Sequence, residues 1–269
     1  MTHRGISRRL ALSGLAASAA LAANNPAWSL SPVQTRTFVL VPGAWHGSWC
    51  YQRVARLLRA RGHEVHALTL TGLCDRSHLM SPQIRLQTHV DDVVNFLRWE
   101  ELQDVVLVGH SYGGIVITGA AETLRSRLRA IAYLDAFIPG PGQALVDLAG
   151  PASRQRIEAS GASSGGLHTP PIPARVFNVN ESDRRWVDEK CTPQPLATFL
   201  DSLPHAEAYK QVPRRLYVRA TGYASPPFDA LARSLRGEAG WSVAELPVGH
   251  DLMIDAPAEV AALLQQVAS

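Results

Sequence analysis

Gly109-His110-Ser111-Tyr112-Gly113 fits the pattern G-x-S-x-G. Such a serine sits on a sharp strand-to-helix turn, with its Oγ held above the edge of a sheet, where it can attack a carbonyl carbon. Small residues two positions to either side let the strained backbone close without Cβ clashes. Three fixed positions in five recur by chance, so the context decides. Val105-Val106-Leu107-Val108 before it is wholly apolar, and the run after it is apolar at helical spacing. The motif therefore stands where its chemistry needs it.

A serine nucleophile needs a base. Of the ten histidines, His3 falls in the first segment, His110 is the variable position of the turn, and His63, His66 and His89 occupy ordinary turn, strand and helix positions. His250 follows the last apolar strand in Val248-Gly249-His250-Asp251. In a doubly wound sheet the strand C-termini share one edge, so Ser111 and His250 can meet. The chain order, with the histidine last, is the one this turn demands. His250 is the expected general base and acid.

The third member should be an acid at another strand end, to hold the imidazole tautomer and stabilise the imidazolium. Its usual place lies after the strand at 215–220, where Thr221-Gly222-Tyr223-Ala224-Ser225-Pro226-Pro227-Phe228 offers no acid before Asp229, already inside a helix. Asp135 directly follows the strand at 130–134, one strand earlier on the same edge. Asp135 is the first choice. Asp229 is the alternative, a chain with no such acid stays open, and Asp135 has a second reading as a capping residue. Gly43-Ala44-Trp45-His46-Gly47 follows the first strand, and the N–H groups of Ala44 and Tyr112 are the expected oxyanion hole. Trp45 and His46 are candidates to line the substrate pocket, with Phe137 and Trp186 from farther along, and Phe199 and Leu203 point the same way.

These residues must be positioned by a mostly parallel, doubly wound α/β sheet. Short apolar strands at 38–41, 65–70, 105–108 and 130–134 alternate with helical stretches at 48–60, 88–99 and 112–128. Val90, Val93, Val94 and Leu97 give the i, i+3, i+4, i+7 spacing of a helix face. The alternation is lost from about 139 to 212, where Gly, Pro, Ala and Ser first dominate and only short helical patches follow. It returns with a strand at 215–220, a helix at 228–235, a strand at 241–246 and a closing helix at 256–267. The chain thus reads as a core over 30–138 and 213–269, with residues 139–212 inserted as a lid.

Residues 1–29 read as an export signal: Arg4, Arg8 and Arg9, then the small apolar run 10–23, then Asn24-Asn25-Pro26. The run falls short of the ~20 residues of a membrane span. Ser7-Arg8-Arg9-Leu10-Ala11-Leu12 resembles a twin-arginine signal, so export to the periplasm or beyond is expected. The 269 residues carry 26 Lys and Arg against 23 Asp and Glu; removing the three arginines of the segment, which holds no acid, leaves 23 against 23. Nothing electrostatic then points to nucleic acid or a membrane surface. The three cysteines show no metal-ligand spacing, so neither a metal nor another cofactor is expected. An exported chain permits one disulfide, and Cys50 and Cys74, both near strand ends, are the pair it would join.

Together FVLVPGAWHGSWCY (38–51), VVLVGHSYGG (105–114), YLDAFIPG (133–140) and GHDLMIDAP (249–257) resemble the α/β-hydrolase superfamily, in particular plant methyl esterases, hydroxynitrile lyases and their bacterial esterase relatives. The resemblance covers about 37–268, the lid only loosely. It implies Ser111 as nucleophile, His250 as base, and Ala44 and Tyr112 as oxyanion donors. Pro42 departs from the histidine common before this glycine, and the usual acid position is empty. Asp251 stands where the cyanogenic lyases look to have a lysine, and Gly43 where they have a threonine, which disfavours a lyase. The expected activity is hydrolysis of a carboxylic ester of a small, largely apolar molecule through an acyl-enzyme. Amide, carbamate or C–C bond hydrolysis on the same residues, and ligand binding without catalysis, are the alternatives.

Overall fold

Four apolar runs anticipated as strands pair side by side in one sheet, three of them at its centre and the run at 65–70 at its edge. The computed structural model describes residues 34–269, and the export segment expected over 1–29 lies outside them. In chain order the main elements are β1 (Thr37–Val41), α1 (Gln52–Arg59), β2 (Glu64–Ala67), α2 (Leu86–Trp99), β3 (Val105–His110), α3 (Gly113–Leu124) and β4 (Leu128–Leu134). After α4 (Leu145–Leu148), α5 (Pro151–Ser163), β5 (His168–Thr169), α6 (Glu181–Lys190), β6 (Gln194–Pro195) and α7 (Ala197–Leu200), the sheet resumes. It does so with β7 (Arg214–Ala220), α8 (Pro226–Leu235), β8 (Trp241–Leu246), α9 (Leu252–Asp255) and α10 (Pro257–Ala268).

The six-stranded sheet has the order β2-β1-β3-β4-β7-β8, and every pairing in it is parallel. The chain steps outward from β1 to β2, then back past β1 to β3. Right-handed crossovers therefore put α1 and α2 on opposite faces. α10 packs with α1, and α3 packs with α2. Covered on both sides, β3 is buried along its whole length, whereas the edge strand β8 is only partly so. That is why the central strands read as unbroken Val, Leu, Ile and Ala rather than alternating.

The inserted stretch holds more helix than its sequence suggests. In α5 only Ile157 and Gly161 are buried, so thirteen helical residues leave no periodic apolar stripe to read. Its start is set locally by Gly150 at φ +84° and Pro151 in the first turn. The side chain of Asn180 caps α6 by accepting from the Asp183 N–H. Among the described residues no helix is long and apolar enough to cross a membrane.

The turn between β3 and α3 allows the backbone no slack. A Cβ on Gly113 would lie 2.5 Å from the Pro42 carbonyl oxygen, and one on Gly109 would lie 2.6 Å from the Gly113 carbonyl oxygen. Gly113→Ala is therefore expected to destabilise the fold by about 1–3 kcal/mol through overpacking. Calorimetric unfolding measures this, and an unchanged Tm would contradict the packing argument.

Candidate active site

Three residues with positive φ lie at neighbouring strand ends: Trp45 (+67°) beyond β1, Ser111 (+50°) after β3 and Asp135 (+43°) after β4. Non-glycine residues hold this conformation only where their surroundings impose it. At Ser111 and Asp135 backbone bonds between strand ends do so. The Ser111 N–H donates to the Leu134 carbonyl at 3.2 Å, and the Asp135 N–H to the Val218 carbonyl at 2.7 Å. The Phe137 N–H donates to the Ser111 carbonyl at 3.2 Å.

The side chains of Ser111, His250 and Asp135 form one line of hydrogen bonds. The Ser111 hydroxyl donates to His250 Nε2 at 2.9 Å, and His250 Nδ1–H donates to Asp135 Oδ2 at 2.7 Å. The tautomer follows from the partners, because the carboxylate can only accept. Asp135 Oδ1 accepts from the Ala220 N–H at 3.0 Å and from the Arg219 guanidinium at 2.9 Å. Arg219 is itself buried and also donates to Asp229 Oδ1 at 2.8 Å and to the Tyr223 carbonyl at 2.6 Å. Burial acts to lower the Arg219 pKa, but Asp135 and then Asp229 outweigh it and hold the value above its ordinary level.

Asp229, the alternative acid, thus meets the far side of Arg219 rather than His250. Arg219 itself was not anticipated. Its signal was an arginine near the end of an otherwise apolar strand, in Arg215-Leu216-Tyr217-Val218-Arg219-Ala220.

Aromatic rings enclose His250: Phe228 stacks on it at 5.6 Å, with Tyr223 at 4.9 Å and Phe177 at 5.1 Å. The His250 N–H donates to the Phe177 carbonyl at 2.8 Å, so the inserted segment braces the histidine directly. In front of Ser111 lies a cavity of about 200 Å³, lined by Trp45, Phe137, Ile157, Phe177, Phe199 and Phe228 among others. Ser153, Arg156 and Ser225 are polar residues on its wall. Ala44 and Tyr112 also line it, and among the described residues neither of their N–H groups has a protein acceptor. The Trp45 N–H, by contrast, is taken by Gln194 Oε1 at 3.0 Å.

Two pocket expectations need correction. Trp186 does not line the cavity; it packs edge-on against Trp49 at 4.9 Å and under the Arg53 guanidinium, because α6 faces the outside of the β1 loop. His46 does not line it either. Its ring is buried against Trp49, with Nδ1 2.7 Å from the Ala44 carbonyl and Nε2 3.3 Å from Asp251 Oδ2. Leu203 is buried against α3 near Gly119, away from the cavity. Cys50, Cys74 and Cys191 are all free thiols.

Residues 38–263 match the model of the alpha/beta hydrolase family. The carbendazim hydrolyzing esterase of Nocardioides sp. (strain SG-4G) is 44% identical over 234 residues, spanning 83% of this chain and 96% of that protein. Methyl jasmonate esterase 1 of Vitis vinifera is 32% identical over 39% of this chain and 41% of its own length. An extracellular alpha/beta-hydrolase from a Paenibacillus species shares the fold, with a TM-score of 0.75 at 23% identity over 86% of this chain and 98% of that one. The chain therefore belongs to the alpha/beta hydrolase family, as an esterase-like member of it.

The buried contact between His46 and Asp251 makes stability depend on pH. Burial acts to lower the His46 pKa, but Cys191 and Asp251 at its Nε2 outweigh it and hold the value well above 6.5. For Asp251 burial acts upward, yet His46 outweighs it and brings the carboxyl well below its ordinary range, with His110 and His250 beside it. Cys50, Cys74 and Trp49 complete the surroundings of the His46 ring. The raised histidine contributes fully below its unfolded value, and the depressed carboxyl fully above its own. The wild-type Tm minus that of His46→Leu/Asp251→Leu, whatever its sign, should be most positive between about pH 4 and 6.5. It should shrink as pH rises toward the folded His46 value, or as it falls below the ordinary carboxylate range. Thermal melts across pH test this, and a pH-independent difference would refute the ion pair.

Proposed function

We propose that the protein is a serine esterase that hydrolyses a carboxylic ester of a small, largely apolar molecule through an acyl-enzyme on Ser111. The observation that carries this reading is the hydrogen-bonded line Ser111–His250–Asp135 opening on an aromatic cavity beside two unpaired N–H groups. As Ser111 Oγ attacks the ester carbonyl carbon, its proton passes to His250 Nε2, and Asp135 stabilises the imidazolium. The negative oxygen of the tetrahedral intermediate is received by the N–H groups of Ala44 and Tyr112, the first orphan donors of their turn and helix. Collapse expels the alcohol, which takes the proton from His250. Water, deprotonated by the same nitrogen, then releases the acid and restores Ser111.

The carbamate alternative draws support from the relative named for carbendazim hydrolysis, so carbendazim belongs beside p-nitrophenyl and aryl methyl esters in a substrate screen. Cyanohydrin cleavage is disfavoured because the residue after His250 is Asp251, a buried acid, where that chemistry calls for a cation. A fluorophosphonate probe separates catalysis from mere binding. Ser111 should be labelled, and Ser111→Ala or His250→Ala should lower kcat by on the order of 10⁴–10⁶ with the fold intact. Near-normal turnover in either variant would sink the mechanism.

The role of Asp135 has its own test. Asp135→Asn should reduce kcat by on the order of 10²–10⁴, since an amide can hold the wrong tautomer. Asp229→Asn, on the exposed side of Arg219, should leave kcat nearly unchanged. The reverse pattern would transfer the role to Asp229.

We also propose that residues 1–29 direct export by the twin-arginine route, on the strength of their basic, Ala-rich sequence. N-terminal sequencing of protein secreted by a bacterial host should begin between Ala23 and Leu30, and an intact Met1 in that fraction would count against it.

A further inference from the structure

The peptide joining Ala44 to Trp45 is held at both ends. Its carbonyl accepts from His46 Nδ1–H at 2.7 Å, and its N–H donates to Gln194 Oε1 at 3.0 Å. Gln194 is itself fully buried, with its amide nitrogen donating to Thr198 Oγ1 at 2.8 Å. Trp45, at φ +67°, is fixed in a conformation that a free loop would leave. A peptide plane pinned at its oxygen and its nitrogen cannot rotate. The preceding N–H, that of Ala44, is joined to this plane through the Ala44 Cα, so fixing the plane narrows the directions it can take.

The other nitrogen of His46 faces an acid that the acyl-transfer steps do not use. Asp251 is fully buried, one residue after His250, and its Oδ2 lies 3.3 Å from His46 Nε2. The geometry is off line for a hydrogen bond, so neither Asp251 oxygen has an aligned donor among the described residues. What compensates the carboxylate is therefore charge. The Ala44 carbonyl at Nδ1 and the Asp251 carboxylate at Nε2 can only accept, so the imidazole meets both only with a proton on each nitrogen; Cys191 Sγ, 3.8 Å from Nε2, is a third and weaker neighbour there. His110 is no substitute: its Nε2, 3.7 Å from Asp251, donates to the His250 carbonyl at 3.0 Å. Burial, and then His250, lower the His110 pKa to about 3, so its ring is neutral.

We propose that His46 and Asp251 are positioning residues: a buried ion pair that clamps the Ala44–Trp45 peptide, aims the Ala44 N–H at the developing oxyanion, and ties that loop to the one carrying His250. The proposal rests on the serine esterase reading. Neither side chain touches the substrate. They act through the backbone of Ala44 and through the single residue that separates Asp251 from the base.

The test compares wild type, Ser111→Ala, His46→Leu/Asp251→Leu and His46→Gln/Asp251→Asn. The leucine variant removes both charges together, leaving no unpaired buried carboxylate to unfold the chain. His46→Gln/Asp251→Asn also removes both charges, keeps a donor near the Ala44 carbonyl, and serves if the leucine variant does not fold. Active sites are titrated with a fluorophosphonate, so that a loss of folded protein is not read as a loss of rate.

Per titrated site, kcat should fall ~10–10²-fold, short of the 10²–10³ for complete loss of a donor, with KM changed by less than about threefold. Affinity for an aryl boronic acid, whose adduct on Ser111 places an anionic oxygen in the hole, should fall by the same factor as kcat/KM. Affinity for the product acid should hold. A merely structural role would lower Tm and the number of titrated sites and leave kcat per site and boronate affinity in place, and that outcome overturns the proposal. If wild type is not labelled, or Ser111→Ala remains active, the serine esterase reading falls and the proposal with it.

Discussion

The 2.7 Å hydrogen bond from His250 to Asp135 joins the two parts of the sheet domain, and much of the site is arranged so that it can exist. A carboxylate that buried is costly unless its oxygens are hydrogen-bonded or its charge is compensated. Oδ2 is spent on His250, so Oδ1 must be met from within the sheet. The Ala220 N–H at the end of β7 and the Arg219 guanidinium do this. Arg219 then brings a positive charge into the core, which Asp229 balances from the partly exposed start of α8. The chain from Asp229 through Arg219 to Asp135 and His250 is a sequence of compensations that begins near solvent and ends at the serine.

A second set of compensations runs on the other flank. Asp251, His46 and His110 fill the space between the loop after β1 and the turn that carries His250. The two polar systems meet at His250, one through its side chain and the other through its backbone carbonyl. The imidazole is thus fixed in position by groups other than those with which it exchanges protons. Buried ionic networks contribute little net stability, since desolvation offsets attraction. Geometry is the physical return for keeping them.

The strands and most helices were legible because their signals are local. An unbroken apolar run, a helical stripe such as Val90, Val93, Val94 and Leu97, and a Gly-rich turn need no knowledge of the partner. Ser111, His250 and Asp135 could be brought to one edge by topology alone, since parallel strands end together. What could not be read was side-chain direction off the sheet. His46 follows Trp45 by one position, yet one residue faces the cavity and the other faces Asp251. Trp186 has the composition of a pocket residue, but its helix packs against Trp49 and Arg53. Helix α5 escaped notice because it buries too little to leave a pattern.

That light burial of α5 separates two properties that most enzymes must trade against each other. The charged network below the cavity is dense, and a change at Arg219 or Asp251 propagates through several partners. The wall contributed by α5 presents Ser153 and Arg156 and is anchored by only two buried residues, Ile157 and Gly161. Surface substitutions of that kind usually alter folding stability by no more than about half a kcal/mol. Mutational drift is therefore unevenly permitted around a single cavity: the floor is held fixed by electrostatics while one wall is free to explore. A lineage built on this chain can change what it accepts faster than it can change what it does.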